Sequence, residues 1–146
     1  MINYEADREK YMQKPLDELL NQVLAKKMYE FQLESIKFAI KNHGRIIIGD
    51  EMGVGKTVQA LACCTVFKAD WPVMVVCPAS LKYNWYQEIA KWLGPKVANI
   101  ITMDQVQVMR TSGDPIDRHA KFVIASYELA LRIDDVITAR NFKICI

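Results

Sequence analysis

The sequence predicts an α/β fold: a mostly parallel β-sheet flanked by helices on both faces. Three observations predict it. The apolar runs Ile46–Ile48, Val73–Cys77 and Phe122–Ala125 lack the alternation of a half-exposed strand, as strands covered on both sides do. Segments with helically spaced apolar residues lie between the runs, and parallel strands need crossovers of that length. The first run leads into a glycine-rich loop and then an alanine- and leucine-rich segment, the strand–loop–helix order of a phosphate-binding loop.

Composition sets the frame. At 146 residues, 51% of them hydrophobic, the chain is one domain's worth and can bury a sizeable core. With 25% charged residues and a formal net charge of +2, composition argues neither for nor against nucleic acid, so any basic face must be local. The four cysteines, Cys63, Cys64, Cys77 and Cys145, form no CxxC pair and no Cys/His cluster. Three of them sit in apolar runs, which predicts buried free thiols in a reducing compartment. No signal-peptide pattern and no bilayer-length apolar stretch is present, and a soluble intracellular protein is expected.

In chain order, residues 1–13 are polar and aperiodic and read as a frayed or extended lead-in. Leu16, Leu19, Leu20, Val23 and Leu24 then fall at helical spacing, with Pro15 at a first-turn position, acids at 17 and 18, and Lys26-Lys27 at the end. A second helical pattern presents Phe31, Ile36, Phe38, Ala39 and Ile40 as apolar candidates and stops at His43-Gly44. The Ile46–Ile48 run is expected as a short buried strand, followed by a helix over 57–69. Val73–Cys77, bounded by Pro72 and Pro78, is a parallel strand, and Ser80 is a natural N-cap for a helix over 81–93 that ends at Gly94-Pro95. Residues 97–102 read as a weaker strand and 103–120 as mostly loop with one helical turn. A buried strand at Phe122–Ala125, one or two short helices over 127–139 and a final strand from Phe142 complete the chain.

The stretch that carries chemistry is Gly49-Asp50-Glu51-Met52-Gly53-Val54-Gly55-Lys56-Thr57. Glycines let successive backbone N–H groups point into one concavity that Cβ atoms would crowd. Lys56 supplies an ammonium for outer phosphates, Thr57 a hydroxyl for Mg²⁺, and the new helix its positive end. The strict pattern has glycine six residues before the lysine, where this chain has Asp50. Gln32, upstream, carries an amide able to donate and accept at an adenine edge, although by spacing alone a surface glutamine is the simpler reading. Tyr83, Trp85 and Trp92 read as core or rim packing rather than base-stacking platforms.

Phe31-Gln32, then Asp50-Glu51-Met52-Gly53-Val54-Gly55-Lys56-Thr57, then Cys77-Pro78-Ala79-Ser80-Leu81 with Trp85, then Ala125-Ser126-Tyr127-Glu128 together resemble a known family. They are similar to the first RecA-like lobe of Snf2-family (superfamily 2) DNA-dependent ATPases, and look most like the HARP-domain annealing-helicase branch. The resemblance covers about residues 28–146, leaving 1–27 as lead-in and N-terminal helix. It implies ATP with Mg²⁺ as cofactor and double-stranded or branched DNA as partner. It places Gln32 in the adenine-recognising Q motif, and Asp50, Glu51, Met52, Gly53, Val54, Gly55, Lys56 and Thr57 in the nucleotide loop, with Lys56 and Thr57 the catalytic pair. It also places Pro78, Ser80 and Leu81 in motif Ia and Ser126 and Tyr127 in motif Ib, both on the DNA track, where hydroxyls and N–H groups hold phosphates without reading bases. Lys82 is added on charge and position. The family has proline where this chain has Glu30.

In that family the strand beginning at Phe142 runs on into an Asp-Glu-x-His box that orients Mg²⁺ and activates water. The sequence stops before it, so the resemblance implies a lobe that binds nucleotide without hydrolysing it. Two other classes stay open: a small phosphate-loop enzyme such as a nucleoside kinase, and a binding module that keeps the fold without hydrolysis. A kinase lid would gather arginines, whereas Arg110, Arg118, Arg132 and Arg140 are scattered. A nuclear location is expected in a eukaryote and a cytoplasmic one otherwise.

Overall fold

The computed structural model describes residues 13–146, which form two compact units, one running through Phe67 and the other from Lys68.

The first unit is helical. α1 (Leu16–Leu19) and α2 (Gln22–Ala25) are single turns where one continuous helix is expected. The break has a local cause: the Asn21 side chain accepts from the N–H groups of Val23 and Leu24 at 3.0 and 3.2 Å, restarting the helix instead of continuing it. α3 (Glu30–Lys41) buries Gln32, Ile36 and Ala39, a stripe at helical spacing. Phe31 and Phe38 lie off that stripe and are exposed, contrary to the expectation that they face the core. The helix closes through His43 and Gly44, both with left-handed backbone, and Gly44 N–H donates to Ala39 O at 2.8 Å. α4 (Lys56–Val66) is buried around most of its circumference.

Between α3 and α4 the expected strand at Ile46–Ile48 does not form. Three β-branched residues favour extended backbone, but a strand exists only through a ladder, and the sheet order β2-β3-β1-β4 includes no segment from 46–48. Ile47 is 95% exposed, so the run is not buried either.

The second unit holds the sheet: β1 (Val73–Cys77), β2 (Val106–Val108), β3 (Phe122–Ser126) and β4 (Ile144–Cys145), all parallel. All five residues of β3 are buried, which requires cover on both faces. One face is packed by α6 (Tyr127–Arg132) and α7 (Asp134–Arg140): Met74, Val123 and Ala125 meet Leu129 and Ile133, with Val136, Ile137 and Phe142 at the margin. α5 (Lys82–Leu93) contacts β2 and β3 and buries Ile89 and Leu93 completely. Trp71 packs edge-on against Phe122 at 5.1 Å between ring centroids.

Two expectations in this unit are corrected. Residues 97–102 form no strand, because their N–H groups fold back onto the end of α5: Asn99 donates to Gly94 O, and Ile100 and Ile101 both donate to Leu93 O. The strand lies a few residues on, at β2, within the stretch expected as loop. Ser80 caps no helix. It sits inside a 3₁₀ turn, Ala79–Leu81, that leads directly into α5.

Candidate functional site

The glycine loop is built against the start of α4. Gly53 and Gly55 have φ of +84° and +85°, a region that side-chain-bearing residues rarely adopt. At Gly55 the requirement is double, since a Cβ there would come within 2.6 Å of Gln32 Nε2. At Gly53 a Cβ would meet nothing within 4 Å, so only the backbone conformation asks for glycine.

Three side chains of the same unit hold the loop, two through its backbone and one through the Asp50 carboxylate. Gln32 is buried; its Nε2 donates to Val54 O at 2.8 Å and its Oε1 accepts from Tyr29 N–H at 2.9 Å. It is thus both the N-terminal cap partner of α3 and a strut under the loop, not the surface glutamine that spacing suggests. Lys56 Nζ donates to the carbonyls of Asp50 and Glu51, each at 2.9 Å. An ammonium has three protons, so the same head can reach a further acceptor over the loop. Gln59 Nε2 donates to Asp50 Oδ2 at 2.9 Å. Thr57 is half-buried in the first turn of α4, while Glu51 and Met52 are exposed at the tip.

This donor set fits an oligophosphate with its Mg²⁺: two left-handed glycines, an ammonium resting on loop carbonyls, and a first-turn hydroxyl at a helix N-terminus. Further along α4, burial pushes the Cys63 thiol up to about 12, so at neutral pH it is a small apolar filler and no nucleophile.

The second group of expected residues gathers at the carboxyl edge of the sheet. β1 and β3 run side by side with Cys77 opposite Ser126, so Pro78 and Tyr127 leave neighbouring strands together. Pro78, Ser80, Leu81 and Tyr127 are exposed. Ser126 is 7% exposed and its hydroxyl accepts from Leu129 N–H at 3.2 Å, which makes it the N-cap of α6. Lys82 Nζ donates to Met109 O at 2.7 Å and so fastens α5 to the end of β2. Of the aromatic residues of α5, Trp85 and Trp92 are half-buried, with Trp92 Nε1 donating to Glu88 Oε2 and Lys91 5.0 Å from the Trp92 ring centre. Tyr83, by contrast, is exposed and not packed as expected.

Sequence reasoning missed Gln59 and Gln107. Gln59 is fully buried among the mostly apolar residues that follow Thr57 in α4, and a lone amide in such a run was the available signal. Gln107 braces the loop after β2 with both ends of its amide, donating to Pro115 O and accepting from Asp117 N–H. Nothing in its sequence surroundings marks it.

A parallel α/β chain with Gly-Val-Gly-Lys-Thr at a helix start falls in the class of proteins carrying the phosphate-loop sequence. Within that class, residues 9–146 match the SNF2-related domain, and the chain belongs to that family. It is 37% identical over 130 residues to the human protein called DNA annealing helicase and endonuclease ZRANB3, an alignment covering 84% of this chain and 11% of the relative. It is 40% identical over 119 residues to the Drosophila melanogaster SWI/SNF-related matrix-associated actin-dependent regulator of chromatin subfamily A-like protein 1, covering 82% of this chain and 15% of the relative. The Caenorhabditis elegans homologue of the latter is 32% identical over 131 residues, covering 88% and 18%. The chain therefore spans a small part of the length of the curated relatives it matches. Among the described residues, no helix is long and apolar enough to cross a membrane.

Proposed function

We propose that residues 28–146 are the ATP-binding lobe of a Snf2-type DNA-dependent ATPase that remodels or anneals DNA, preceded by a lead-in over 1–27. The observation that carries the nucleotide part is the pair of left-handed glycines, Gly53 and Gly55, ending at Lys56 and Thr57 on the first turn of α4. Lys56 turns its ammonium to the outer phosphates, the loop N–H groups hold the inner ones, and the Thr57 hydroxyl ligates Mg²⁺. Gln32 holds the loop and faces the adenine edge only with what its two protein bonds leave over. When bound, Mg²⁺ neutralises charge on the phosphates.

The DNA part rests on the relatives' printed names, an annealing helicase and a chromatin regulator, and on the gathering of Pro78, Ser80, Leu81 and Tyr127 at one sheet edge. These groups suit contacts to phosphates, with Lys82 and Ser126 holding the edge in shape. The same names support a nuclear location in a eukaryote. We assign this stretch of chain the binding of ATP or ADP and not its hydrolysis.

Titration calorimetry with Mg²⁺ and ATP tests the reading. Wild-type chain is expected to bind weakly and Lys56→Ala not measurably, with no ATP turnover on adding duplex DNA. Equal affinity for the two would remove the phosphate-loop assignment. Turnover dependent on both Lys56 and DNA would remove the binding-only assignment.

A further inference from the structure

We propose that Asp50 is a positioning residue of the phosphate-binding loop, acting through Gln59 and Lys56 and not on nucleotide itself. The proposal rests on the reading of the loop as a nucleotide site and says how the loop is held in register.

Position 50 is where the strict motif has glycine, so a carboxylate there needs a place of its own. It has one. Asp50 Oδ2 accepts from Gln59 Nε2 at 2.9 Å, and Asp50 O accepts from Lys56 Nζ at 2.9 Å. Lys56 and Gln59 stand three residues apart on α4, neighbours on one helix face. A single residue thus grips that face twice, once by its side chain and once by its main chain, and pins the entry of the loop to the helix that ends it.

The burial of Gln59 says the grip matters. Its side chain has no exposure, and its Oε1 is buried with no hydrogen-bond partner among the described residues. An amide buried at that cost is held by its one bond, and that bond goes to a charged acceptor. Glu51, next along, is exposed at the loop tip. The two acids of Asp50-Glu51 therefore have separate work, and Asp50 is the anchor.

The test titrates a fluorescent N-methylanthraniloyl ATP with Mg²⁺ into full-length protein, with thermal melts of each variant alongside. Asp50→Ala is expected to weaken binding about tenfold, the size of one lost hydrogen bond to a charged group. Asp50→Asn recovers most of that affinity, because its carboxamide oxygen accepts the same bond. Gln59→Glu sets two carboxylates against each other and weakens binding at least as much, and the exchanged pair Asp50→Asn/Gln59→Glu restores it. Should Asp50→Ala not fold, the exchanged pair against Gln59→Glu decides alone. The proposal is overturned if Asp50→Asn binds as poorly as Asp50→Ala, which would put the charge itself at the nucleotide. It is equally overturned if Asp50→Ala melts lower yet binds like wild type, or if the exchanged pair fails to restore affinity. A Lys56→Ala variant with wild-type affinity would instead overturn the phosphate-loop reading, whatever the Asp50 series does.

Discussion

The glycine loop and the carboxyl edge of the sheet are both built from residues that the family resemblance marks, yet they are held in opposite ways. The loop is strung between side chains: Gln32 on Val54, Lys56 on Asp50 and Glu51, Gln59 on Asp50. The edge rests first on backbone, through a parallel ladder that sets Cys77 beside Ser126; Lys82 and Ser126 only brace it, and Ser80, Leu81 and Tyr127 are exposed. A loop without ladder partners depends on each strut, whereas an edge carried by a sheet can vary its exposed residues freely. The loop should accordingly be brittle and the edge tolerant.

That contrast can be broken at its strongest point first. Gly55→Ala forces a left-handed backbone on a residue with a Cβ and drives that Cβ into Gln32 Nε2 at 2.6 Å. A loss of about 1–2 kcal/mol from the backbone alone is expected by urea unfolding, more if the Val54 bond goes too. A neutral result would mean the loop is not strut-dependent. At the edge, Ser126→Ala removes the cap of α6 and should cost about 1 kcal/mol, while Ser80→Ala should stay within about 0.5 kcal/mol. Equal losses at the two serines would erase the distinction between scaffold and surface there.

The smallest effect concerns the loop after β2. Asp114 accepts from the N–H groups of Thr111 and Arg110 and from the Thr111 hydroxyl, and these bonds hold its carboxyl below the usual range. A carboxyl lowered in the folded state favours folding above its unfolded value of 3.8, and that contribution disappears as pH falls through the lower folded value. Carboxyl NMR titration should find Asp114 titrating below its unfolded value of 3.8. A midpoint at or above 3.8 would show that the turn is open in solution.

Much of this was legible in the chain. Val73–Cys77 and Phe122–Ala125 read correctly because an unbroken apolar run between prolines or polar turns has few other solutions. Gly53 and Gly55 stood out by their spacing to Lys56, and both have the left-handed backbone that glycine suits. Ile46–Ile48 misled for a physical reason: propensity is local, but strand formation is a pairing event. Ser80 misled because hydroxyls suit helix starts, yet Pro78 begins a 3₁₀ turn that takes over that start. The Asp50–Gln59 bond was invisible because spacing shows only that both residues are polar, not that one is buried against the other.

The sheet also carries a consequence in time. Val73 pairs with Phe122 on one side and Ile144 on the other, so the first strand made has both partners far along the chain. Among the described residues no hairpin shortens the search, and each pairing must close a long loop before it gains anything. The helical turns up to Phe67 need only near neighbours. During synthesis the apolar run Val73–Cys77 therefore waits, uncovered, for residues not yet made, and that interval is where aggregation competes with folding.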